Sequence, residues 1–175
     1  KQFATAAEEN ARNIDKLFAD INPTLGDDDK LYGKEIGDKA IVWRSANYVP
    51  VCQLLHGETI TPYDGDSAIQ NAMKAAADGD TIEILQANYT VKAKIDIDRN
   101  ITITKGEKIT SVILTDSITN GDALFTMKAD GKTATIKDLS LTSAQANSRA
   151  IYQTSGMVAF ENVTMNGFKS TGNGG

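Results

Sequence analysis

The feature that most constrains this chain is a short unit of period two that returns at a fixed offset. Ile136-Lys137-Asp138-Leu139-Ser140-Leu141 is matched 24 residues later by Phe160-Glu161-Asn162-Val163-Thr164-Met165. Apolar and polar residues alternate in both, as in a strand with one face buried. A repeat of this length is one coil of a solenoid, in which each unit hides its apolar face only against its neighbours. The same alternation occurs earlier, with Ile82 and Ile84 around Glu83, Ile95 and Ile97 around Asp96, and Ile101 and Ile103 around Thr102. Asn100, Asp138 and Asn162 precede the second apolar pair of each copy, and Asn and Asp tolerate the left-handed backbone of a sharp bend. A second recurring strand, Ala123-Leu124-Phe125 and Ala150-Ile151-Tyr152, sets Tyr152 in the place of Phe125. No helical pattern follows Gly79, which excludes an alternating strand and helix architecture.

The expected fold is therefore all-β: the amino-terminal coils of a right-handed parallel β-helix over residues 63–175. Ile82, Ile84, Ile95, Ile97, Ile101, Ile103, Leu139, Leu141, Val163 and Met165 are expected to point inward. Ahead of the coils, Ile69, Ala72, Met73 and Ala76 give residues 66–77 an apolar helical stripe. Asp66 is suited to accept the first free amides, and Asp78-Gly79-Asp80 to stop the helix. An uncovered β-helix end exposes unpaired strand groups, so this helix is expected to cap the solenoid through Ile69 and Met73.

Residues 1–62 form an expected separate amino-terminal extension of helix, connector and short strands. Phe3, Ala7, Ile14, Leu17 and Ile21 mark an amphipathic helix that Pro23 ends. Residues 24–40, with the acidic run Asp27-Asp28-Asp29, read as a solvated connector. The strand-like runs at 41–43 and 48–55 read either as the last strands of a preceding sandwich or as the lead-in to the next domain.

Composition narrows the function. The 175 residues suffice for one domain with an appended segment. With 18 basic and 23 acidic residues, a net charge of −5 and no basic cluster, the electrostatic footprint of a nucleic-acid binder is missing. One cysteine, Cys52, and one histidine, His56, exclude an internal disulfide and a cysteine- or histidine-built zinc site. No apolar run reaches the ~20 residues of a membrane helix. The start, Lys1-Gln2-Phe3-Ala4, has no signal core, so a secreted, periplasmic or cell-surface protein would already have lost its signal. The glycine-rich end at residues 170–175 follows a strand-like segment directly, and further coils or domains of the same polypeptide are expected beyond it.

Five stretches taken together resemble a known pattern: Ala68-Ile69-Gln70-Asn71-Ala72, Gly79-Asp80-Thr81-Ile82-Glu83-Ile84, Tyr89-Thr90, Ile95-Asp96-Ile97 and Asn100-Ile101-Thr102-Ile103. They resemble the start of the pectin-lyase-like right-handed β-helix superfamily, nearest the chondroitinase B and alginate lyase branch and its secreted Bacteroidetes relatives. The resemblance covers residues 64–168 and implies the fold far more than an activity. Where such proteins place a Gly before the Thr-Tyr or Ser-Tyr step, this chain has Ala87-Asn88-Tyr89, and Asn88 is expected to supply the left-handed bend. The resemblance implies that the catalytic Lys and Arg of the lyases, and the acidic ligands of their calcium, lie on later coils. No catalytic residue is carried over, and calcium is a cofactor by resemblance only.

Lyases acting on uronic acids need a base for the proton beside the carboxylate and positive charge for the resulting anion. Lys92 and Lys94 share strand parity with Asp96 and Asp98, which makes one outer stripe a candidate for acidic saccharide, although self-compensating charge on a solvated strand is the ordinary reading. Trp43 and Tyr48 are candidates for stacking on sugar rings. The glycosylation triplets at Asn88, Asn100 and Asn162 follow from a turn Asn ahead of an alternating strand. The chain is expected to be a non-catalytic or incomplete part of a secreted polysaccharide-binding or polysaccharide-degrading β-helix protein. An adhesin-like structural spacer and a complete polysaccharide lyase are the alternatives.

Overall fold

The computed structural model describes residues 49–118 and 122–170 in full and residues 31–36 and 40–45 as backbone. The chain divides into two compact units, Lys1–Val49 and Pro50–Gly175. In the first, β1 (Leu31–Ile36) pairs antiparallel with β2 (Ala40–Ser45). The expected connector at residues 24–40 thus contains a strand. The amphipathic helix expected before Pro23 lies outside the described residues, as does Asp27-Asp28-Asp29.

The second unit is a parallel β-solenoid of about 3 turns. Ahead of the coils lie β3 (Cys52–His56) and β4 (Thr59–Tyr63). The coils run β5 (Asp80–Ile84), β6 (Asn88–Val91), β7 (Ile95–Ile97); then β8 (Ile101–Lys105), β9 (Ile113–Asp116), β10 (Ala123–Met127); then β11 (Thr133–Lys137), β12 (Ser140–Ser143), β13 (Arg149–Gln153). They finish with β14 (Met157–Glu161) and β15 (Thr164–Asn166). Strands from successive coils form three sheets: β5, β8, β11 and β14; β6, β9, β12 and β15; β7, β10 and β13.

Parallel in-register pairing turns the alternation of the sequence into columns of like side chains. Ile82, Ile103, Ile136 and Phe160 form one column. Tyr89, Leu114, Leu141 and Met165 form a second, and Ile95, Phe125 and Ile151 a third. Each fully buried aliphatic side chain contributes roughly 2 kcal/mol of transfer free energy, so the stack of coils is held mainly by these columns. Eight of the ten expected core residues are buried, from Ile82 through Leu141. Val163 is only half-buried and Met165 is 42% exposed, because β15 has no coil stacked beyond it among the described residues.

One inward column changes from apolar to polar along the stack. Val91, Asp116 and Ser143 stack in register. The Asp116 carboxylate accepts from the Ile118 amide at 2.9 Å and from the Ser143 hydroxyl at 2.9 Å, and Ser148 donates to Ser143 at 2.7 Å. Every partner comes from within the coil corner, which satisfies the polar group in the interior.

The offset read from the sequence holds only for the last step, from Ala134 to Val158. The step from Asp80 to Ile101 is shorter and the step from Ile101 to Ala134 is longer. The turns absorb the difference, since pairing constrains the strands alone. Asp138 (φ 57°) and Asn162 (φ 52°) take the left-handed turn conformation, and the Asn162 amide donates to Asp138 at 2.8 Å. Asn100 and Asn88 do not adopt it. Asn100 turns the chain through hydrogen bonds instead: its amide donates to Asp78 at 2.9 Å, and its side-chain oxygen accepts from the Thr133 amide at 2.8 Å. Asn88 opens β6 in extended conformation.

The solenoid begins with a hairpin and a helix. β3 and β4 are antiparallel, and β3 continues antiparallel onto β5, with Leu54 opposite Ile82. The strand-like run before residue 60 is thus the lead-in to the coils, built into their first sheet. Helix α1 (Ala68–Ala75) follows, with Ile69, Ala72 and Met73 buried against β3, β4, β5 and β7. Ser67 rather than Asp66 stands at its amino-terminal cap and makes no side-chain bond there. Asp66 is turned away to Lys92.

Candidate functional site

Two clefts flank α1. The first, of about 370 Å³, lies between its polar side and the chain around β7. Ser67, Gln70, Asn71 and Lys74 make one wall, and Lys94, Asp96, Asp98 and Arg99 the other. The helical period brings Gln70, Asn71 and Lys74 to the side opposite Ile69 and Met73. The strand period brings Lys94, Asp96 and Asp98 outward around the buried Ile95 and Ile97. Gln70 ties the walls together by donating its amide to the Ala93 carbonyl.

Charge in this groove is unevenly engaged. Arg99 donates to Asp98 at 2.6 Å and to the Ala76 carbonyl, so it closes the end of α1 onto the coil. The hydrogen bond from Arg99 holds the Asp98 carboxyl below its usual range, against a smaller upward push from burial. Lys94 stands 4.0 Å from Asp96, at the limit of an ion pair. Lys74 is exposed and has no ion-pair partner among the described residues. At the groove's edge Lys132 bonds Asp78 across two coils, and that bond is the main reason the Asp78 carboxyl is lowered.

The second cleft, of about 460 Å³, lies on the other side of the helix start and includes Asp64, Asp66, Gln86, Tyr89 and Lys92. Lys92 pairs there with Asp66 at 2.9 Å. The Tyr89 hydroxyl donates to the Gly65 carbonyl at 3.0 Å, and burial raises its pKa. The four residues that share parity in the sequence are thereby divided. Lys94, Asp96 and Asp98 line one groove, and Lys92 lines the other, because the β6–β7 turn separates them. Trp43 lies in β2 of the amino-terminal unit, opposite Gly33, and Tyr48 lies outside the described residues.

Nothing in the sequence points to Gln70, Lys74 or Arg99 as site residues. Their helix reads as a cap, and the wall that faces it comes from the next coil strands rather than from neighbouring sequence. The sequence also sets Tyr152 in the place of Phe125, yet β10 and β13 pair one residue out of that alignment, Phe125 with Ile151 and Thr126 with Tyr152. A one-residue slip moves a side chain to the other face. Tyr152 is 44% exposed, with Lys128 Nζ 5.7 Å and the Arg149 guanidinium 5.9 Å from its ring centre, while its register partner Thr126 is buried.

Among the described residues no group of three or more His, Cys, Asp or Glu side chains could hold a metal ion, so they do not fit the calcium that the resemblance implies. No helix among them is long and apolar enough to cross a membrane. In comparison with known proteins, no family model, curated sequence or solved structure gives a significant match. A functional reading therefore rests on the grooves themselves.

Proposed function

We propose that this chain is a carbohydrate-directed module of the pectin-lyase-like β-helix type, exported or displayed at the cell surface, that holds acidic polysaccharide without cleaving it. The observation that carries the reading is the balance of charge in the groove beside α1. Three cations, Lys74, Lys94 and Arg99, face two carboxylates there, Asp96 and Asp98, in a chain of net charge −5. Amides and hydroxyls of Gln70, Asn71 and Ser67 complete a lining suited to sugar hydroxyls, while Lys74 and Lys94 supply charge for uronate carboxylates. Its carboxylate Asp98, held below its usual range by Arg99, is a poor base for the proton abstraction a lyase needs.

A structural spacer is the second reading, favoured by the uncharged outer columns of the β6, β9, β12 and β15 sheet: Thr90, Thr115, Thr142 and Asn166, beside Asn88, Ile113, Ser140 and Thr164. Affinity electrophoresis separates the two. In gels containing pectate or alginate the protein is retarded, and in dextran gels it is not. The Lys74→Ala/Lys94→Ala double variant loses most of the retardation with its circular dichroism unchanged. Equal mobility of the parent protein in all gels leaves the spacer. A rise in ultraviolet absorbance from unsaturated product, with calcium added, would make it a lyase.

A further inference from the structure

We infer that Gln70 is a latch across the α1 groove, opened by a ligand that presents two adjacent hydroxyls, and is therefore the residue that selects for a sugar diol. This rests on the saccharide reading of the groove and deepens it. The Gln70 amide donates to the Ala93 carbonyl, which joins α1 to the exposed turn between β6 and β7. The other half of the side chain is not satisfied: Oε1 is buried and accepts no hydrogen bond among the described residues. Exchanging the oxygen and nitrogen of the amide does not cure this, because it would set Oε1 against the Ala93 oxygen, which cannot donate. A buried acceptor without a donor loses its hydration and gains nothing for it, so the closed latch satisfies only one of its two groups.

Packing does not require Gln70 to stay closed. Ile69, Ala72 and Met73 dock α1 on the coils, and Arg99 holds the far end of the helix through the Ala76 carbonyl. Turning the Gln70 side chain aside uncovers two acceptors in the groove lining, the Ala93 carbonyl oxygen and Oε1 itself. Two hydroxyls on neighbouring carbons of a pyranose supply one donor to each, and their oxygens accept from the freed amide. The open state gains bonds that the closed state lacks, and such a difference is what a ligand needs to shift the equilibrium. An ammonium group would also donate, but Lys74, Lys94 and Arg99 outnumber Asp96 and Asp98 around the groove and disfavour a cationic ligand. The diol is thus assigned from the acceptors, separately from the carboxylate that the lysines suit.

Periodate cleaves the bond between the adjacent hydroxyl-bearing carbons of a galacturonic acid hexasaccharide and leaves its carboxylates, and borohydride reduces the aldehydes formed. Isothermal titration compares the intact and oxidised hexasaccharides on the parent protein, Gln70→Ala and Gln70→Glu. The parent binds the intact form about tenfold more tightly, the equivalent of one or two hydrogen bonds. Gln70→Ala removes latch and acceptor together and lowers that ratio by about threefold or more. Gln70→Glu keeps an acceptor and loses the donor to Ala93, so its charge weakens both probes while the ratio stays that of the parent. The flexibility that ring opening introduces is common to all three proteins and cancels in the comparison. Gln70 is half-buried on the polar side of α1 and Ala suits a helix, so the variants keep the parent's melting curve. An unchanged ratio in Gln70→Ala, or its loss in Gln70→Glu, would overturn the latch and leave the groove standing. No binding of the intact hexasaccharide by the parent protein would overturn both.

Discussion

Leu141 and Met165 occupy one inward column in adjacent coils, and truncating each in turn measures how much the stacking contributes. Leu141 is fully buried between Leu114 below and Met165 above. Leu141→Ala removes its transfer free energy and leaves a cavity that flanking coils cannot collapse into without breaking register. The expected cost is about 3 kcal/mol, within the range for buried leucines. Met165 is 42% exposed, so Met165→Ala forfeits little more than half of a smaller transfer term and opens no closed cavity, costing about 1 kcal/mol. For a unit of this size the first corresponds to a fall of roughly 10 °C in melting temperature and the second to about 3 °C. Urea unfolding followed by far-ultraviolet circular dichroism gives both values. Equal costs, or a Leu141→Ala cost under about 1 kcal/mol, would refute a core built from stacked coils.

Three further outcomes follow from particular groups. Burial of Cys52 in β3, with a smaller contribution from Asp64, pushes its thiol up to about 12. It should resist alkylation in the native protein and react fully in urea; native reactivity would contradict the docking of β3 onto β5. Burial pushes the Asp80 carboxyl upward, but the Ala77 amide at 2.7 Å and the His56 ring at 2.8 Å outweigh it and hold the net pKa below the usual range. A lowered folded-state pKa contributes stability above the unfolded value, about 4, which is lost as pH falls through the folded value. Asp80→Asn should therefore flatten the acid limb of stability against pH, and an unchanged limb would count against the pairing. A Cβ on Gly167 would lie 2.1 Å from the Ser143 carbonyl oxygen at φ 79°, whereas one on Gly131, at φ 69°, meets nothing within 4 Å. Gly131→Ala should cost about 1 kcal/mol from the backbone alone. Gly167→Ala should cost clearly more by thermal melting, and equal losses would contradict the close approach of the last coil.

Much of the solenoid was legible because its stabilising pattern is local. Strand parity at Ile82, Ile84, Ile95 and Ile97 and the helical stripe at Ile69 and Met73 appear in consecutive residues, and their burial follows from parity alone. Register is not local. Tyr152 and Phe125 look equivalent in sequence, and only the pairing of β10 with β13 shows that Ile151 takes the inward place. Asn100 resembles Asp138 and Asn162 but bonds to Asp78 and Thr133, partners far along the chain, which makes a left-handed turn unnecessary. The groove was illegible for the same reason. Lys94 and Asp96 could be read as an outward stripe, but nothing near them in sequence tells that Gln70 and Lys74 form the facing wall. Lys92 shares their parity and still faces another cleft, since the turn between β6 and β7 carries the chain from one sheet to another.

The most direct test of the saccharide reading is to map the bound polymer on the protein. Amide chemical shifts would be recorded by NMR while a galacturonic acid hexasaccharide is titrated in. The predicted perturbations gather at residues 70–74 and 93–99, the two walls of the groove. Shifts confined to Thr90, Thr115 and Thr142 on the uncharged sheet, or no shifts at saturating hexasaccharide, would contradict it.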